Sequence, residues 1–533
     1  STPGAFERTV NETDSKTHGP RPWWVNLLFH HPIDMARSLF VVLLTLAFVA
    51  PAEAQTPCVE NTADGFPCNR IGLWSRLPVS TFSSPGTSAP SSLNDIWGWT
   101  DETSGREFAL VGATNGLAFV EITDPAAPVY LGKLPTATTA STWRDVKVYA
   151  DHAFVVSEAF GHGMQVFDLS RLLSVSSPPV TFSSDARYTG FGSAHNVVID
   201  ETSGFAFGVG VSAPTCGGGG LHMVDIRTPT SPTYAGCFDD DGYTHDAQCL
   251  VYEGPDTEHQ GRQICVASNE DTITVVDVTD KSNPVELSRG FYPNPGYTHQ
   301  GWFTEDQRYF VVNDEVDNSA GPRTIIFDLA DLDSPSFEFI HFRPVATTDH
   351  NLYIRGDYAF LSNYEAGLRI YDATRLATNR FDELAFFDTY PQGDRYTYNG
   401  QWSNYPYFES GVVIANDQDN GLFVLAPDPS FFAVSGEEAP VTVPDAGFLL
   451  TDPAPNPFTN RVTFELAVDA TQHIRAEVFD VQGRRVVTLL DRVVTPNAVQ
   501  PLALDAGDLP AGTYVVRVTG ETFAASRSVS LTR

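Results

Sequence analysis

The stretch Tyr243-Thr244-His245-Asp246-Ala247-Gln248-Cys249 contains one copy of a short phrase that returns seven times along the chain. The copies occupy residues 94–97, 144–146, 194–197, 244–247, 298–301, 349–352 and 398–400. Counted from Asp95, successive copies are 50, 50, 50, 54, 51 and 49 residues apart. A repeat of this length, made of short β-rich runs, predicts a seven-bladed β-propeller over residues 55–427.

The sixth repeat indicates how one blade is built. Four short runs follow one another at residues 351–354, 358–362, 368–371 and 383–390, separated by turns such as Arg355-Gly356-Asp357. Short β-type runs joined by turn residues are typical of one four-stranded antiparallel blade. The third run of most repeats ends in Asp, as in Ile273-Thr274-Val275-Val276-Asp277. We interpret this Asp as a turn residue, because its side chain caps backbone N–H groups.

The seventh repeat lacks a fourth run of its own, because the chain becomes Pro-rich after Leu425-Ala426-Pro427. The early run 71–78 resembles the fourth runs of other repeats, such as 129–135. We therefore predict that the N-terminal run supplies the outer strand of the last blade. That arrangement closes the ring and removes a free sheet edge.

Length and charge limit the functional classes. A chain of 533 residues is long enough for two or three domains. A formal net charge of −34 argues against a nucleic-acid partner and against docking on an anionic membrane. An acidic surface of this kind suits a secreted protein.

The first 54 residues have the pattern of a targeting segment. Met35-Ala36-Arg37 opens a basic stretch, an apolar run covers 39–50, and Ala52-Glu53-Ala54 has the small-x-small pattern of a cleavage site. We predict a signal peptide over 35–54 and interpret 1–34 as an artefact upstream of the natural start. No later stretch is long and apolar enough for a membrane span, so we expect none in the mature chain.

Export favours disulfide bonds among the six cysteines. Proximity in sequence suggests the pairs Cys58–Cys68, Cys216–Cys237 and Cys249–Cys265, although six cysteines allow fifteen pairings in all. Cys249 and Cys265 lie in two strand-like runs joined by a turn, which favours the third pair most.

The fourth repeat is quite specific to one family. The stretches 243–249 and 254–256, followed by Ile264-Cys265-Val266-Ala267-Ser268-Asn269-Glu270, resemble the choice-of-anchor B proteins with LVIVD repeats. The similarity covers about residues 58–427. It implies a propeller that is secreted or attached to the cell surface, and it carries over no catalytic residues.

The C-terminal part resembles a second family. Pro455-Asn456-Pro457-Phe458 and the stretches 478–486 and 509–518 occur in the order found in sorting domains of type IX secretion cargo. The resemblance implies a small, immunoglobulin-like β-sandwich over 448–533, joined by a linker at 428–447. It also implies the type IX secretion machinery as a partner, passage through the periplasm and outer membrane, and release or surface attachment. Alternating runs such as Val462-Thr463-Phe464-Glu465-Leu466 independently indicate a sandwich.

The repeated polar position is the best candidate for a functional site. In a propeller the first strand of each blade lines the central channel, so the repeated residues are expected to form a ring at one mouth. The ring would contain Asp95, Asp145, His195, His245 with Asp246, His299, His350 and Asn399. Imidazoles near carboxylates are a plausible site for a divalent metal ion or another ligand.

A second polar set lies at the ends of the second strands, which return to the same face of the propeller. This set comprises Glu158, Asn269, Glu270, Asn313, Asp314, Asn363, Asn416 and Asp417. Two interpretations of these residues remain open. They hold a ligand or metal at the channel mouth, or they satisfy buried backbone groups and serve structure alone.

Three functions are compatible with these residues. The leading hypothesis is an extracellular binding module for an unknown ligand. The alternatives are a metal-dependent lyase or hydrolase that acts on an extracellular polysaccharide or ester, and a structural scaffold at the cell surface. Metal content separates the three hypotheses, because a scaffold needs no ion.

Overall fold

A computed structural model describes residues 55–316, 322–343, 346–432 and 447–532, the last range without residues 452, 454–455, 460, 469, 495–499, 508 and 522. The predicted upstream segment 1–34 and signal peptide 35–54 lie outside the described residues, as do residues 433–446 of the predicted linker. Within the described part of the chain, no helix has the length and apolar character needed to cross a membrane.

Seven antiparallel sheets built on a core of four strands form the blades of a β-propeller. The first blade contains Leu93–Asp101, Arg106–Ala113, Gly116–Glu121 and Val129–Pro135. The second contains Arg144–Tyr149, His152–Ser157, Met164–Asp168 and Ala186–Tyr188. The third contains Asn196–Asp200, Phe205–Val209, Leu221–Asp225 and Thr233–Phe238. The fourth contains Asp246–Val251, Gln263–Ser268, Ile273–Asp277 and Val285–Gly290.

The last three blades repeat this order. The fifth contains Thr298–Phe303, Tyr309–Asp314, Arg323–Asp328 and Ser336–Phe342. The sixth contains Leu352–Arg355, Tyr358–Ser362, Leu368–Asp372 and Asp382–Phe387. The seventh contains Gln401–Tyr405, Val413–Asp417, Gly421–Pro427 and the N-terminal strand Ile71–Leu77.

Short elements complete the propeller. Phe66–Asn69 and Thr62–Ala63 extend the outer edge of blade six, and Val180–Thr181 pairs in parallel with the last strand of blade one. Short 3-10 helices lie at Val79–Thr81, Leu169–Ser174, Leu376–Thr378 and Pro429–Phe431.

The N-terminal strand closes the ring as the sequence predicts. Ile71–Leu77 pairs antiparallel with Gly421–Pro427, so that Leu77 lies opposite Leu422. The first strands of successive blades contact one another all the way round, including those of blades seven and one. The first strand of each blade therefore lines one central channel.

The turn role predicted for the Asp at the end of the third strand is also confirmed. Asp277 Oδ1 accepts a hydrogen bond from the backbone N–H of Thr279 at 2.9 Å, and Asp372 Oδ1 accepts one from Thr374 at 2.8 Å. The apolar residues of the same strands pack between blades. Val275 of blade four, for example, shares a buried cluster with Phe310 of blade five.

Three disulfides link the pairs suggested by proximity, Cys58–Cys68, Cys216–Cys237 and Cys249–Cys265. Cys249 and Cys265 face each other across the first two strands of blade four. The described part of the chain contains no free cysteine.

The C-terminal region forms a β-sandwich. One sheet contains Phe448–Leu450, Arg461–Val468 and Gln500–Asp505. The other contains Gln472–Asp480, Arg485–Val494, Gly512–Thr519 and Ala524–Leu531. Strand Gly512–Thr519 alternates exposed and buried side chains, which is the pattern of a strand with one face in a core. Its buried residues join a cluster that includes Val462, Ile474 and Leu531.

Candidate functional site

The first strands carry three successive layers of side chains across the channel. The mouth layer comprises Arg144, His195, His245, His299, His350 and Trp402, which line one small cavity, and Asn94 is the corresponding residue of blade one. The middle layer, one residue later, comprises Asp95, Asp145, Asn196, Asp246, Gln300, Asn351 and Ser403. The far layer, two residues further on, comprises Trp97, Lys147, Val198, Gln248, Trp302, Tyr353 and Tyr405. Middle and far layers share one face of each strand because side chains repeat with a period of two.

The local hydrogen bonds define the middle layer. Asp95, Asp145 and Asp246 each accept a hydrogen bond from the backbone N–H of the following residue, at 2.7, 2.6 and 2.7 Å. Asn351 Nδ2 donates to Asp95 Oδ2 and to Ser403 Oγ, both at 3.2 Å. The three aspartates therefore occupy equivalent places in their blades.

The structure differs from the single ring that the repeat spacing predicts, because the predicted residues lie in more than one layer. Asp95 and Asp145 do not share a layer with the four histidines, because equivalent positions lie one residue earlier in the first two phrases. The register of the first strand also shifts at bulges in blades one, five and seven. A bulge adds a residue to one strand. Residues at equal spacing in the sequence therefore need not point to the same side of the sheet.

Asn399 is also outside the ring. Its side chain is exposed, and its amide bonds the hydroxyl of Thr397 at 3.3 Å. Trp402 takes the place of blade seven in the mouth layer, with its ring 4.9 Å from that of His350.

The four histidines form a continuous stack at the mouth. Ring centroids are 4.2 Å apart between His195 and His245, 4.2 Å between His245 and His299, and 4.5 Å between His299 and His350. They therefore do converge, as the sequence predicts, although they come from four separate blades.

Burial keeps most of these imidazoles neutral. It lowers the pKa of His350 to about 3 and holds those of His245 and His299 well below the usual value. His245 Nδ1 donates to the His299 carbonyl at 3.0 Å, and His350 Nδ1 donates to the Trp402 carbonyl. In a neutral imidazole that donates from Nδ1, Nε2 carries no proton, so its lone pair can coordinate a metal ion.

Glu315 completes a triad with two of the histidines. Its Oε2 lies 3.7 Å from His299 Nε2, and its Oε1 lies 3.8 Å from His350 Nε2. These separations exceed a hydrogen bond. Tyr364 donates its hydroxyl to Glu315 Oε1 at 2.8 Å, and burial raises the pKa of the Glu315 carboxyl to about 7. One ligand atom from each residue of the triad lies within 4.8 Å of the others.

The triad lies next to two small spaces. A cavity of about 10 Å³ lies among the histidines and Trp402, which is room for about one water molecule. Above it, a more open pocket of about 250 Å³ is lined by Trp143, Glu158, Tyr243, Tyr297 and Glu315, among others. Glu158 Oε1 accepts a hydrogen bond from His195 Nδ1 at 2.6 Å. The open pocket therefore reaches Glu315, whereas His299 and His350 line the smaller cavity.

The middle layer is an acidic cluster around one lysine. Lys147 Nζ lies 2.6 Å from Asp145 Oδ1. Burial acts to lower the pKa of Lys147, but Asp145, Asp95 and Asp246 together raise it above its usual value. Burial in turn raises the pKa of Asp95 to about 7 and that of Asp246 to about 8.

Most members of the second polar set serve the fold. Asn269 Nδ2 donates to Asp241 Oδ2 at 2.8 Å, and Asp314 Oδ1 accepts from the backbone N–H of Tyr297 at 2.8 Å. The structural interpretation thus describes these two buried residues better than the ligand interpretation does.

The next three members have similar partners. Asn313 donates to the His350 carbonyl, Asn363 donates to Asp349 Oδ1 at 2.7 Å, and Asn416 donates to the Asn94 carbonyl at 3.2 Å. The contacts of Asn313 and Asn416 join neighbouring blades, whereas that of Asn363 lies within blade six. Glu158 contacts His195, and the exposed Glu270 lies beside Tyr297, so these two remain at the mouth.

Asp417, the last member, lies in a buried turn. Its Oδ1 accepts from the backbone N–H groups of Asp419 and Asn420 at 2.9 and 2.7 Å, and its Oδ2 accepts from the Thr389 hydroxyl at 2.9 Å. Burial raises its pKa to about 7. An asparagine in its place keeps all three contacts, because its amide can donate to the Thr389 oxygen.

We expect the unfolding free energy of Asp417→Asn, relative to that of the parent protein, to increase as pH rises. The folded-state pKa lies above the usual value of 3.8, so the carboxyl favours folding at low pH and loses that contribution as pH rises towards 7. Relative to the parent, the variant should gain on the order of 1–3 kcal/mol between about pH 4 and pH 8. Urea unfolding of both proteins across this range measures the difference. A stability difference between Asp417→Asn and the parent that does not change with pH would contradict this prediction.

Glu315 and the far layer were not predicted from the sequence. A signal for Glu315 was present, because Glu270 and Glu315 follow Ser268-Asn269 and Asn313-Asp314 at matching points of their repeats. Aromatic residues two positions after the middle layer were a signal for the far layer. Its pocket has a volume of about 430 Å³ and is larger than the one at the histidine mouth.

Comparisons with known proteins identify two parts of the chain. Residues 260–289 match the LVIVD repeat, and residues 454–530 match the secretion system C-terminal sorting domain. The first match covers the third strand of blade four, Ile273–Asp277, and the second covers most of the sandwich. No curated protein matches the sequence.

Among solved structures, the chain is similar to the extracellular domain of a one-component system from B. thetaiotaomicron, at 13% identity and a TM-score of 0.39. That match covers 86% of this chain and 58% of that domain, so the chain spans little more than half of its length. A protein from Lactobacillus plantarum has 14% identity and a TM-score of 0.42, with 78% of this chain and 100% of that chain covered. The periplasmic gluconolactonase of Pseudomonas aeruginosa has 13% identity and a TM-score of 0.39, with 57% and 90% covered.

The two family matches lie in the two folded regions in the order that the sequence predicts. A type IX secretion sorting domain directs its cargo to the cell surface or out of the cell. The chain therefore contains an LVIVD repeat within its β-propeller and a secretion system C-terminal sorting domain, and it is exported to the cell surface or secreted.

Proposed function

We propose that the propeller is an extracellular binding module that holds a divalent metal ion of the zinc type at His299, Glu315 and His350. The ion's open coordination position would face the mouth pocket and accept a group from an extracellular ligand. The observation that carries this proposal is the position of both Nε2 atoms near the carboxylate of Glu315, at 3.7 and 3.8 Å.

The spacing of these atoms supports a shared ion. Zinc lies about 2.0–2.2 Å from nitrogen and oxygen ligands, so two ligands at tetrahedral angles are about 3.3 Å apart. The two measured separations are a few tenths of an ångström longer, which a small rotamer adjustment removes. They are too long for hydrogen bonds, so direct bonding between the side chains does not explain the arrangement.

The chemistry of the donors supports the same ion. Two imidazole nitrogens and one carboxylate are a donor set that zinc accepts, with a fourth position left for another ligand. His350 is oriented by donation from Nδ1 to the Trp402 carbonyl, which is the kind of outer contact that ligating histidines make. His299 lacks such an outer contact: its Nδ1 has no hydrogen-bond partner among the described residues, although only 2% of its side chain is exposed.

Metal binding by the mature protein tests the proposal. We expect purified protein to bind one zinc ion per chain, and we expect His350→Ala and Glu315→Gln each to weaken binding by roughly 100-fold. Isothermal titration with zinc and elemental analysis after dialysis measure affinity and stoichiometry. Tetrahedral cobalt absorption in the same site reports the geometry.

The matched control is His473→Ala, which removes a half-exposed histidine of the sandwich. It should leave the affinity unchanged. Zinc binding that is equally strong in His350→Ala, or a mature protein that binds no zinc, would refute the metal site and leave the scaffold hypothesis.

A further inference from the structure

The opposite mouth of the channel holds a pocket that the proposed metal site does not use. Its volume of about 430 Å³ lies in the range of small-molecule sites. Its floor is the middle layer, and its walls are the far layer, so all seven blades present a side chain towards it. The sequence contributes aromatic residues here from blades one, five, six and seven.

Five aromatic rings form one continuous wall. Trp97 lies 5.5 Å from Tyr353 and 5.0 Å from Tyr405, measured between ring centroids. Trp302 lies 5.1 Å from Tyr353, and Tyr407 lies 5.3 Å from Tyr405. Such rings carry negative potential on their faces, which attracts a cation within about 6 Å.

The charged side chains at the rim of the pocket are negative. They therefore attract a cation, as the faces of the aromatic rings do. Asp246 lies on the floor with Lys147, and the exposed carboxylates of Glu201 and Glu305 line the rim. Lys147 is already paired with Asp145 at 2.6 Å. The two rim carboxylates, Glu201 and Glu305, therefore outnumber Lys147, the only cation that lines this pocket among the described residues.

Lys147 shows that this part of the channel accommodates a cationic group. Its ammonium group lies 4.6 Å from the ring centroid of Trp97, deep in the channel, with only 13% of its side chain exposed. A buried ammonium on a tryptophan face is stable only where the surroundings are net negative. Trp302, Tyr353 and Tyr407 line the same pocket.

We propose that this far pocket binds an organic ammonium ion, with the cationic group against Trp302, Tyr353 and Tyr407 and near the rim carboxylates. Aromatic cages of this kind recognise quaternary ammonium groups. An anionic sugar is disfavoured by Glu201 and Glu305. The site is separate from the metal triad, so the two proposals fail independently.

Choline and its neutral isostere 3,3-dimethylbutan-1-ol test the proposal on the mature full-length protein. The two probes have almost the same shape and differ in the charge. We expect choline to bind saturably, one per chain, about tenfold more tightly than the neutral alcohol by isothermal titration. Equal affinities would show an apolar pocket without cation selectivity, and a lack of saturation by choline would also overturn the proposal.

Two variants locate the site. Trp302→Leu should weaken choline binding by about tenfold, because it removes one face of the cage. Phe291→Leu, at a side chain that is 66% exposed and outside the pocket, is the matched control and should change nothing. Glu305→Gln leaves packing intact and should weaken choline by a few-fold without affecting the alcohol. Choline affinity that is unchanged in both Trp302→Leu and Glu305→Gln would place binding elsewhere and refute the assignment.

Discussion

A mature chain that lacks residues 55–77 is expected not to form a folded propeller. The deletion removes Ile71–Leu77, which is the outer strand of blade seven, and leaves Gly421–Pro427 as an unpaired edge. Ile71, Leu73 and Leu77 are at most 8% exposed, so the deletion withdraws three apolar side chains from the core.

The size of this loss is comparable with the whole stability of a domain. Burying an apolar side chain of this size is worth about 1.5–3 kcal/mol, so three contribute about 5–9 kcal/mol. The unfolding free energy of a typical domain is only about 5–15 kcal/mol. The lost strand pairing adds to the deficit and exposes a sheet edge that favours aggregation.

Circular dichroism, limited proteolysis and size-exclusion chromatography of the truncated protein measure this result. Leu73→Ala is the milder form and should lower the unfolding free energy by about 2–5 kcal/mol. Arg76→Ala, on the exposed face of the same strand, should cost less than about 1 kcal/mol. A truncated chain that elutes as a compact monomer with parental protease resistance would show that the strand is dispensable.

Arg343→Met is expected to lower the unfolding free energy by about 3–5 kcal/mol. Arg343 and Asp349 are 4% and 0% exposed, and the guanidinium donates to the carboxylate and to Asn363 Oδ1. Loss of the arginine leaves the Asp349 carboxylate buried without a countercharge. Removing one partner of a buried pair costs much more than the pair contributes.

Chemical denaturation of Arg343→Met measures this cost. Arg375→Met is the matched control, because Arg375 makes only long ion pairs of 3.6 and 3.7 Å and half of its side chain is exposed. It should change stability by less than about 0.5 kcal/mol. Adding Asp349→Asn to Arg343→Met should recover much of the loss, since the buried charge is then gone. A double variant as unstable as the single one would show that the guanidinium acts through packing instead.

The propeller was predictable because the same short sequence phrase recurs in every blade. Seven phrases at nearly constant spacing determine the number of blades, and the run around Leu73 resembles the fourth strands closely enough to predict the closure. The disulfides followed from proximity. The fourth strand of blade two, Ala186–Tyr188, is only three residues long and shows no comparable phrase, so the sequence did not predict its place.

The site was predictable only in part. Convergence of the four histidines follows from the repeat, but Asp95 and Asp145 lie in another layer because the residues equivalent to the histidines are Asn94 and Arg144, one position earlier in those two phrases. Glu315 was hidden because the expected polar set stopped at Asp314, one residue earlier. The far pocket was hidden for another reason. Residues such as Trp302 are as common in cores as in binding sites, and only the three-dimensional ring brings them to one opening.

The pairing of Ile71–Leu77 with Gly421–Pro427 sets an order of events for the exported chain. Ile71–Leu77 is synthesised long before its partner in blade seven, so the ring closes only after the chain has been made as far as Gly421–Pro427. Contacts between such distant segments form slowly, since the intervening chain must first be brought together. A polypeptide that ends before that hairpin cannot close the ring and stays sensitive to proteases. Ring closure therefore distinguishes a complete propeller from a truncated one.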